Sequence, residues 1–325
     1  MNRNMCIGID VGYGYTKIVC ESTEGIKRMV WPSVVGNYEG RTVDVEGMRS
    51  SASDYVEVEN QKFLIGTAAL KHSSRIFTAR EKNWIGSLAY RALMKKAIQH
   101  ANTSSINITI ASGLPVSYYK TDRESLTNLI REVAKEEAIT VTVKVIPQPL
   151  GSFFDLLLDE TGGVQDEELI RARVGILDIG FYTSDLITVD SLELVEKQIA
   201  SFENGVAGIL EAIARDIERA HDLRPDLHKT EEAIRRGSIR VYGVDRDISQ
   251  IARQRLTELA NEIEARAKTV WKTAADLDQV VLTGGGATLM KNYLDLYKHS
   301  IVLQDAQFAN ATGYYKYARR ITNEA

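Results

Sequence analysis

The sequence of 325 residues contains only two cysteines, Cys6 and Cys20. Both lie in apolar runs typical of β-strands, so we expect two buried thiols rather than a disulfide, and nothing indicates an oxidising compartment. A basic excess is also missing, because 40 Lys and Arg stand against 44 Asp and Glu. General nucleic-acid binding needs such an excess to neutralise phosphates. We therefore expect no direct nucleic-acid binding; the alternative is binding through a local basic patch.

Long apolar runs are missing as well. The sequence has no stretch of about 18 apolar residues and no apolar segment of the secretory type after its first residues. We therefore expect a cytoplasmic protein that does not span or bind a membrane. Its 44% hydrophobic and 26% charged residues are ordinary for a globular protein, and its length predicts two domains.

Segments typical of strands alternate with segments typical of helices, which predicts an α/β fold with mixed sheets. Asp122 is a candidate N-cap, residues 113–115 a candidate turn, and residues 161–171 a candidate domain boundary. The predicted strands are 5–11, 15–20, 26–34, 106–111, 140–146, 173–178, 184–190, 192–199 and 279–283, and the predicted helices are 84–100, 122–137, 151–159, 205–221, 229–236 and 247–274.

One short pattern occurs twice. Residues 9–19 read IDVGYGYTKIV and residues 177–187 read LDIGFYTSDLI, which match position by position as apolar, Asp, apolar, Gly and aromatic residues before a returning strand. Each copy has a carboxylate at the end of its first strand and a glycine two residues later. A hairpin built twice in this way indicates two related domains that face one ligand.

The first hairpin is typical of a phosphate-binding turn. Successive N–H groups of Gly12, Tyr13 and Gly14 suit an anion, and Lys17 can reach a β- or γ-phosphate as a point charge. Asp10 is a candidate ligand of Mg²⁺ through water. The alternative is an ordinary hairpin that uses Asp and Gly as turn formers, and the side chain of Tyr13 is of a kind that more often packs than contacts a ligand.

The second hairpin offers Gly180, Phe181, Tyr182 and Thr183 to a γ-phosphate, and Asp178 as a second ligand of Mg²⁺. Two carboxylates share a site only when a cation pairs them or when one is protonated. Aromatic side chains such as those of Phe181 and Tyr182 more often pack against other residues than contact a ligand. The shared spacing of the two hairpins argues against two unrelated turns.

A third element is the run VVLTGGGA at residues 280–287, an apolar strand followed by three glycines before a helix. It predicts a close approach of Gly284, Gly285, Gly286 and Ala287 to an adenosine and its α-phosphate near a helix N-terminus. The alternative is a plain strand-to-helix turn.

In this order and spacing, residues 10–17, 178–185 and 282–287 resemble the two phosphate motifs and the adenosine motif of the actin-like ATPase family, which includes actin, the ATPase domain of heat-shock chaperones and sugar kinases. The resemblance implies two related domains of mixed sheets flanked by helices, with ATP or ADP and Mg²⁺ in a cleft between them. The domains it implies are 1–165, with a small insertion at about 34–100, and 166–325, with a small subdomain at about 222–250 and a C-terminal helix at about 308–322 that packs back on the first domain.

Three further segments resemble the ParM (StbA) branch of plasmid-segregation actins: ASGLPVSYYK at 111–120, EEAIRRGSIRV at 231–241 and FANATGYY at 308–315. This implies a filament-forming protein that hydrolyses ATP after assembly, with a centromere-binding adaptor protein as its partner and plasmid or phage DNA as cargo. The alternatives are a small-molecule kinase of the same superfamily and a chaperone, and the absence of a substrate-binding domain in the sequence argues against the latter.

The resemblance also assigns roles outside the three motifs. Gln148 takes the position that orients the attacking water, where ParM relatives often carry Glu, and the alternative is a surface turn residue between two prolines. The stretch Glu203, Asn204 and Gly205 leads into a helix that touches the ribose and phosphates, although Asn204 is equally a candidate N-cap. Arg235 is a candidate adenosine contact, and the alternative for it is a solvated charge.

Overall fold

A computed structural model describes the chain in several stretches. They are residues 5–40, 55–77, 84–101, 107–294, 296–297 and 299–324. The chain divides into two compact units, of which unit 1 is Met1–Asp166 with Asn310–Ala325 and unit 2 is Glu167–Ala309. Within the described residues, no helix combines the length and apolar character needed to cross a bilayer.

Unit 1 contains a five-stranded mixed sheet of order β3-β2-β1-β8-β9 and a small sheet of order β5-β6-β4-β7. Helices α2 and α3 pack on the main sheet. The elements are β1 (Met5–Val11), β2 (Tyr15–Ser22), β3 (Gly25–Pro32), β4 (Val35–Asn37), β5 (Tyr55–Val58), β6 (Gln61–Ile65), α1 (Thr67–His72), β7 (Ile76–Phe77), α2 (Leu88–Ala101), β8 (Asn107–Leu114), α3 (Val116–Glu136), β9 (Thr140–Pro147) and α4 (Gln148–Leu157).

Unit 2 contains a mixed sheet in which β12, β11, β10, β16 and β17 are neighbours and β13 also pairs with β11, and a separate hairpin of β14 and β15. Its elements, with the helix that follows, are β10 (Arg173–Ile179), β11 (Ser184–Asp190), β12 (Glu193–Leu194), β13 (Ala200–Phe202), α5 (Val206–His221), α6 (Leu227–Arg236), β14 (Ser238–Val241), β15 (Val244–Asp247), α7 (Ser249–Trp271), β16 (Gln279–Thr283), α8 (Gly284–Met290), β17 (Ser300–Val302) and α9 (Ala309–Asn323).

Both units build the same central motif. In unit 1, β1 pairs antiparallel with β2 and parallel with β8. In unit 2, β10 pairs antiparallel with β11 and parallel with β16. The first strand of each motif is buried on both faces, which is why it reads as a nearly continuous apolar run. The two hairpins predicted from the repeated pattern are confirmed.

The helices follow from apolar spacing. In α5, Val206, Leu210, Ile213 and Ile217 recur at intervals of three or four residues and are all buried, so one stripe of the helix faces the core. The two cysteines are buried free thiols, as expected from their apolar surroundings, and burial raises the pKa of both.

The structure corrects four local predictions. The predicted strand 192–199 is interrupted, because a 3-10 helix at Glu196–Gln198 separates β12 from β13. The predicted turn at 113–115 is wrong, because Gly113 and Leu114 pair in register with β9. Asp122 is not an N-cap, because α3 begins six residues earlier behind Pro115.

The fourth correction concerns the helix predicted at 151–159. This helix, α4, begins at Gln148, directly behind Pro147. A proline in the first turn costs no hydrogen bond, so Pro149 fits within the helix rather than before it. Of the predicted insertion at about 34–100, residues 41–54 and 78–83 lie outside the described residues, as does Ile106 of the predicted strand 106–111.

Helix α9 belongs to unit 1 from Asn310 onward, and at Gly8 and Gly313 it is packed there with no side chain between the backbones. A Cβ at Gly313 would overlap the carbonyl oxygen of Gly151, and one at Gly8 would overlap that of Ala311. Ser152 donates to Asn310 Oδ1 through its N–H at 3.2 Å and its hydroxyl at 2.7 Å. Backbone therefore lies directly against backbone where Gly8 and Gly313 meet their neighbours, and side-chain hydrogen bonds add to the contact.

We predict that Gly313→Ala lowers the free energy of unfolding by about 2 kcal/mol or more, because the added methyl group meets main-chain atoms that have no rotamer to change. Urea denaturation followed by circular dichroism measures the loss. The matched control is Gly208→Ala in α5, where a Cβ meets nothing within 4 Å and alanine favours the helix. Equal stability of the two variants would contradict the packing of α9.

Candidate functional site

The first hairpin carries a buried ion pair. Asp10 lies opposite Lys17 in the ladder of β1 and β2, and the Lys17 ammonium donates to Asp10 Oδ2 at 2.8 Å. The two residues are 3% and 9% exposed. Buried charges need a partner of this kind. Lys17, predicted as a phosphate ligand, therefore also holds the Asp10 carboxylate in place.

Ser33 fixes the turn between β1 and β2. Its N–H donates to the Gly14 carbonyl at 2.9 Å, and its hydroxyl donates to the Gly12 carbonyl at 2.6 Å. In a trans peptide the N–H points away from the preceding carbonyl. The N–H of Tyr13 is therefore directed away from Ser33, as an anion-binding turn requires. No pattern in the sequence pointed to Ser33, which lies 21 residues from Gly12.

The second hairpin carries two buried carboxylates. Asp178 lies opposite Asp185 in the ladder of β10 and β11, and the residues are 3% and 2% exposed. The Thr183 hydroxyl donates to Asp185 Oδ2 at 3.1 Å. Side chains directly opposite in a ladder are close neighbours, and like charges there are unfavourable. The two carboxylates of Asp178 and Asp185 therefore attract a cation more strongly than the Asp10–Lys17 pair does.

The loop 180–183 of the second hairpin, here called loop P, is held by the N-terminus of α5. Three N–H groups donate to its carbonyls: Gly205 to Tyr182 at 2.9 Å, Val206 to Gly180 at 3.1 Å and Ala207 to Phe181 at 2.7 Å. The peptide bonds of loop P are trans. The N–H groups of residues 181–183 are therefore turned away from α5, which makes one side of loop P a set of donors for an anion.

Gly205 is needed for this attachment. A Cβ there would lie 2.5 Å from both the carbonyl carbon and the oxygen of Phe181. Helix α5 is N-capped by Gly205, so Asn204 is not the N-cap. Asn204 instead accepts a hydrogen bond from the Ser184 hydroxyl at 3.3 Å through its backbone carbonyl, and its Oδ1 is buried without a hydrogen-bond partner in the described part of the chain. Glu203 lies exposed next to it.

The glycine triplet lies beside Asp178. Gly284 has φ +86° and follows β16, and a Cβ on it would overlap Asp178 Oδ1. A Cβ on Gly286 would lie 2.5 Å from Ile179 Cγ2, and Ala287 is fully buried. Only at Gly285 is there room, because the first heavy atom met is Gln307 Cγ at 4.0 Å. Gly284 thus serves the close packing of Asp178, and Gly285 is the open position of the triplet.

Gln148 lies at the first position of α4, half-buried. Its carbonyl accepts a hydrogen bond from the hydroxyl of the fully buried Tyr314 at 3.2 Å. A Cβ on Gly113 would lie 3.2 Å from Gln148 Cα. The backbone of Gln148 is therefore fixed from two sides, in contrast to a surface turn residue.

Arg235 is tied to its own helix. Its guanidinium donates to Glu231 Oε1 at 2.7 Å from one nitrogen and at 3.3 Å from Nε, across one turn of α6. The side chain of Glu231 is 8% exposed. Glu231 therefore sets the orientation of the Arg235 side chain, which is the candidate adenosine contact.

Each hairpin by itself offers groups that suit Mg²⁺ or a phosphate. In the parts of the chain that the structure describes, no three or more His, Cys, Asp or Glu form a cluster able to hold a metal ion. Mg²⁺ does not require one, because it is typically bound by one or two carboxylates, waters and substrate phosphates. Asp178 and Asp10 are carboxylates of this kind, each next to a turn whose backbone donors suit phosphate oxygens.

Two family models match the chain. The model of the actin like proteins N terminal domain matches residues 8–151, and that of the archaeal actin homologue MreB-like, C-terminal, matches residues 176–296. Archaeal actin homologues from Thermoplasma volcanium and Thermoplasma acidophilum are 26% and 24% identical to this chain, over 97% of it and 98% of each of them.

Two solved structures have the same fold. An archaeal actin homologue in complex with ADP is 20% identical with a TM-score of 0.74, over 97% of this chain and 99% of that one. The subunit of a ParM filament from Clostridium botulinum is 18% identical with a TM-score of 0.76, over 98% of this chain and 100% of that one. The motifs of this chain, the two family models and the fold agree, and the chain belongs to the family of actin-like ATPases.

Proposed function

We propose that the chain binds ATP with Mg²⁺, hydrolyses the ATP and assembles with copies of itself into filaments. The observation that carries the proposal is loop P, whose N–H groups are turned away from α5 next to the buried carboxylate of Asp178. The ADP complex of an archaeal actin homologue of the same fold supports nucleotide binding. The ParM filament of the same fold supports self-assembly.

Asp178 and Asp10 are the proposed ligands of Mg²⁺, which when bound neutralises charge on the phosphates. Lys17 holds Asp10 and adds a positive charge beside the first turn. Backbone donors on the two turns bind phosphate oxygens. They belong to Gly12, Tyr13, Gly14, Gly180, Phe181, Tyr182 and Thr183.

The adenosine is proposed to lie against the glycine triplet, where Gly285 leaves open space. Asn204 offers a buried amide oxygen to a ribose hydroxyl, and hydrogen bonding would satisfy this oxygen. Glu203 and Arg235 complete the proposed contacts. Since Glu231 orients Arg235, the guanidinium approaches the ligand in one preferred direction.

Gln148 is the proposed water-positioning residue. An amide orients water by accepting and donating hydrogen bonds, and it does not need to take up a proton. The fixed backbone at the start of α4 supports this role, because a mobile residue would not hold a water in line with a phosphate.

We further propose that the filaments move plasmid or phage DNA through an adaptor protein bound to that DNA. The net charge of −4 favours an adaptor over direct contact, because a chain without a basic excess has little affinity for phosphates. The resemblance of residues 111–120, 231–241 and 308–315 to the ParM branch implies the same partner class.

We predict that right-angle light scattering rises when Mg²⁺–ATP is added to the purified protein and later decays, with filaments visible by negative-stain microscopy. The decay is expected because hydrolysis weakens the assembled state. Mg²⁺–ADP is the control and should give little scattering. Intact nucleotide binding without assembly at any protein concentration would contradict the filament and favour a small-molecule kinase.

Asp178→Asn should lower ATP turnover at least about 100-fold, because the amide keeps the shape of the carboxylate but loses the charge that holds Mg²⁺. Phosphate release measures turnover, and circular dichroism checks the fold. Asp276→Asn is the control, since that side chain is 63% exposed in the same unit. Wild-type turnover in Asp178→Asn would remove Asp178 from the site.

Gln148→Ala should slow hydrolysis about 100-fold and leave assembly intact, because only the orientation of the water is lost. The filaments should then outlive those of the wild type in the scattering assay. Gln99→Ala serves as the control, since Gln99 donates to Glu137 on the surface of the same unit. Filaments of Gln148→Ala that decay at the wild-type rate would refute the role.

A further inference from the structure

The side chain of Phe181 projects from loop P into an aromatic cluster. Its ring meets that of Tyr182 edge-on, with centroids 5.1 Å apart and planes at 75°. On another side the ring of His228 stacks on it, with centroids 6.1 Å apart and planes at only 15°. Both arrangements are in the range in which aromatic pairs attract each other. The backbone of loop P is thus held by α5 and its aromatic side chain by His228.

His228 lies in the first turn of α6. The turn is fixed by Asp226, whose Oδ1 accepts a hydrogen bond from the Lys229 N–H at 2.9 Å. Burial lowers the pKa of His228, against the opposing effects of Glu231 and Asp226. The ring is therefore neutral near neutral pH and stacks as an aromatic group rather than as a cation.

Helix α6 connects loop P to the hairpin of β14 and β15. A buried cluster joins α5 and α6 to this hairpin, and Gly237 with φ +74° links α6 directly to β14. The cluster consists of Ile213, Ile217, Ala233, Ile239, Val241 and Ile248. A displacement of the first turn of α6 is therefore passed to the whole small subdomain, because close-packed interiors transmit strain.

We propose that His228 is a positioning residue for loop P. Its ring holds Phe181 and thereby keeps the N–H groups of residues 181–183 in the orientation that binds the terminal phosphate. The same contact links α6 to that phosphate. The inference rests on the proposed function, since it requires that loop P binds ATP. His228 acts only through Phe181.

The experiment compares the affinities for a non-hydrolysable ATP analogue and for ADP, measured with fluorescent nucleotides in the presence of Mg²⁺. We expect His228→Leu to lower the preference for the ATP analogue over ADP about fivefold, the size of one aromatic stack. His228→Phe keeps a ring at the position and should restore the preference. A purely structural role would lower the melting temperature without changing the ratio of the two affinities.

Phe181→Leu removes the same stack from the other side and provides a second route should His228→Leu fold poorly. The double variant should lose no more preference than either single variant, because the two residues act through one contact. The matched control is His299→Leu, which removes a histidine stack of the same 6.1 Å separation on Tyr297 in the same unit. It should leave the preference unchanged.

The outcomes separate the two proposals. A wild-type protein that binds neither nucleotide refutes the proposed function and the role of His228 with it. A wild-type protein that prefers the ATP analogue, alongside a His228→Leu variant with the same preference, overturns the role of His228 alone. Failure of His228→Phe to restore a lost preference also overturns it, since the ring is then not what positions the loop.

Discussion

The attachment of loop P to the N-terminus of α5 is the interaction on which the candidate site depends. Three N–H groups of the residues at 205–207 are used by the loop carbonyls, so they are not offered to a ligand. Because peptide groups are planar, the same bonds turn the donors of loop P to the other side. In the proposed function, the helix thus contributes to phosphate binding indirectly, by setting the orientation of a neighbouring loop. A side chain at position 205 would prevent this, which gives Gly205 a structural purpose.

The two hairpins are alike in backbone and unlike in charge. At equivalent ladder positions, unit 1 has Asp10 opposite Lys17, whereas unit 2 has Asp178 opposite Asp185. The first hairpin is neutralised within itself, and the second brings two buried carboxylates together. In the proposed function, Asp178 is therefore the stronger candidate ligand for a cation, and Lys17 adds a positive charge beside the first turn.

Close packing at glycines recurs near several candidate residues. Gly284 lets the strand-to-helix turn lie against Asp178, and Gly113 lets β8 approach Tyr314 and Gln148. In unit 1, Gly8 and Gly313 bring α9 against β1 and α4 without side chains between them. Such contacts leave little free space, so small displacements at the loops are carried into the helices that hold them.

The sequence by itself determined the elements whose evidence is local. Alternating and continuous apolar runs indicated β1, β2, β10 and β11, and the repeated Asp and Gly spacing indicated two related hairpins, both confirmed. The family resemblance carried by the three motifs is confirmed as well. These features are contained in short stretches, where side-chain period and turn chemistry suffice.

Only the tertiary structure decided the partners of each turn. Ser33 and Gly205 lie about 20 residues from the carbonyls they serve, and His228 stacks on a ring far from it in sequence. The start of α4 at Gln148 and the interruption between β12 and β13 likewise became apparent only in the structure. The reason is physical: a hydrogen bond or a ring stack between distant residues leaves no periodicity in either segment, and it exists only once the fold has brought the two together.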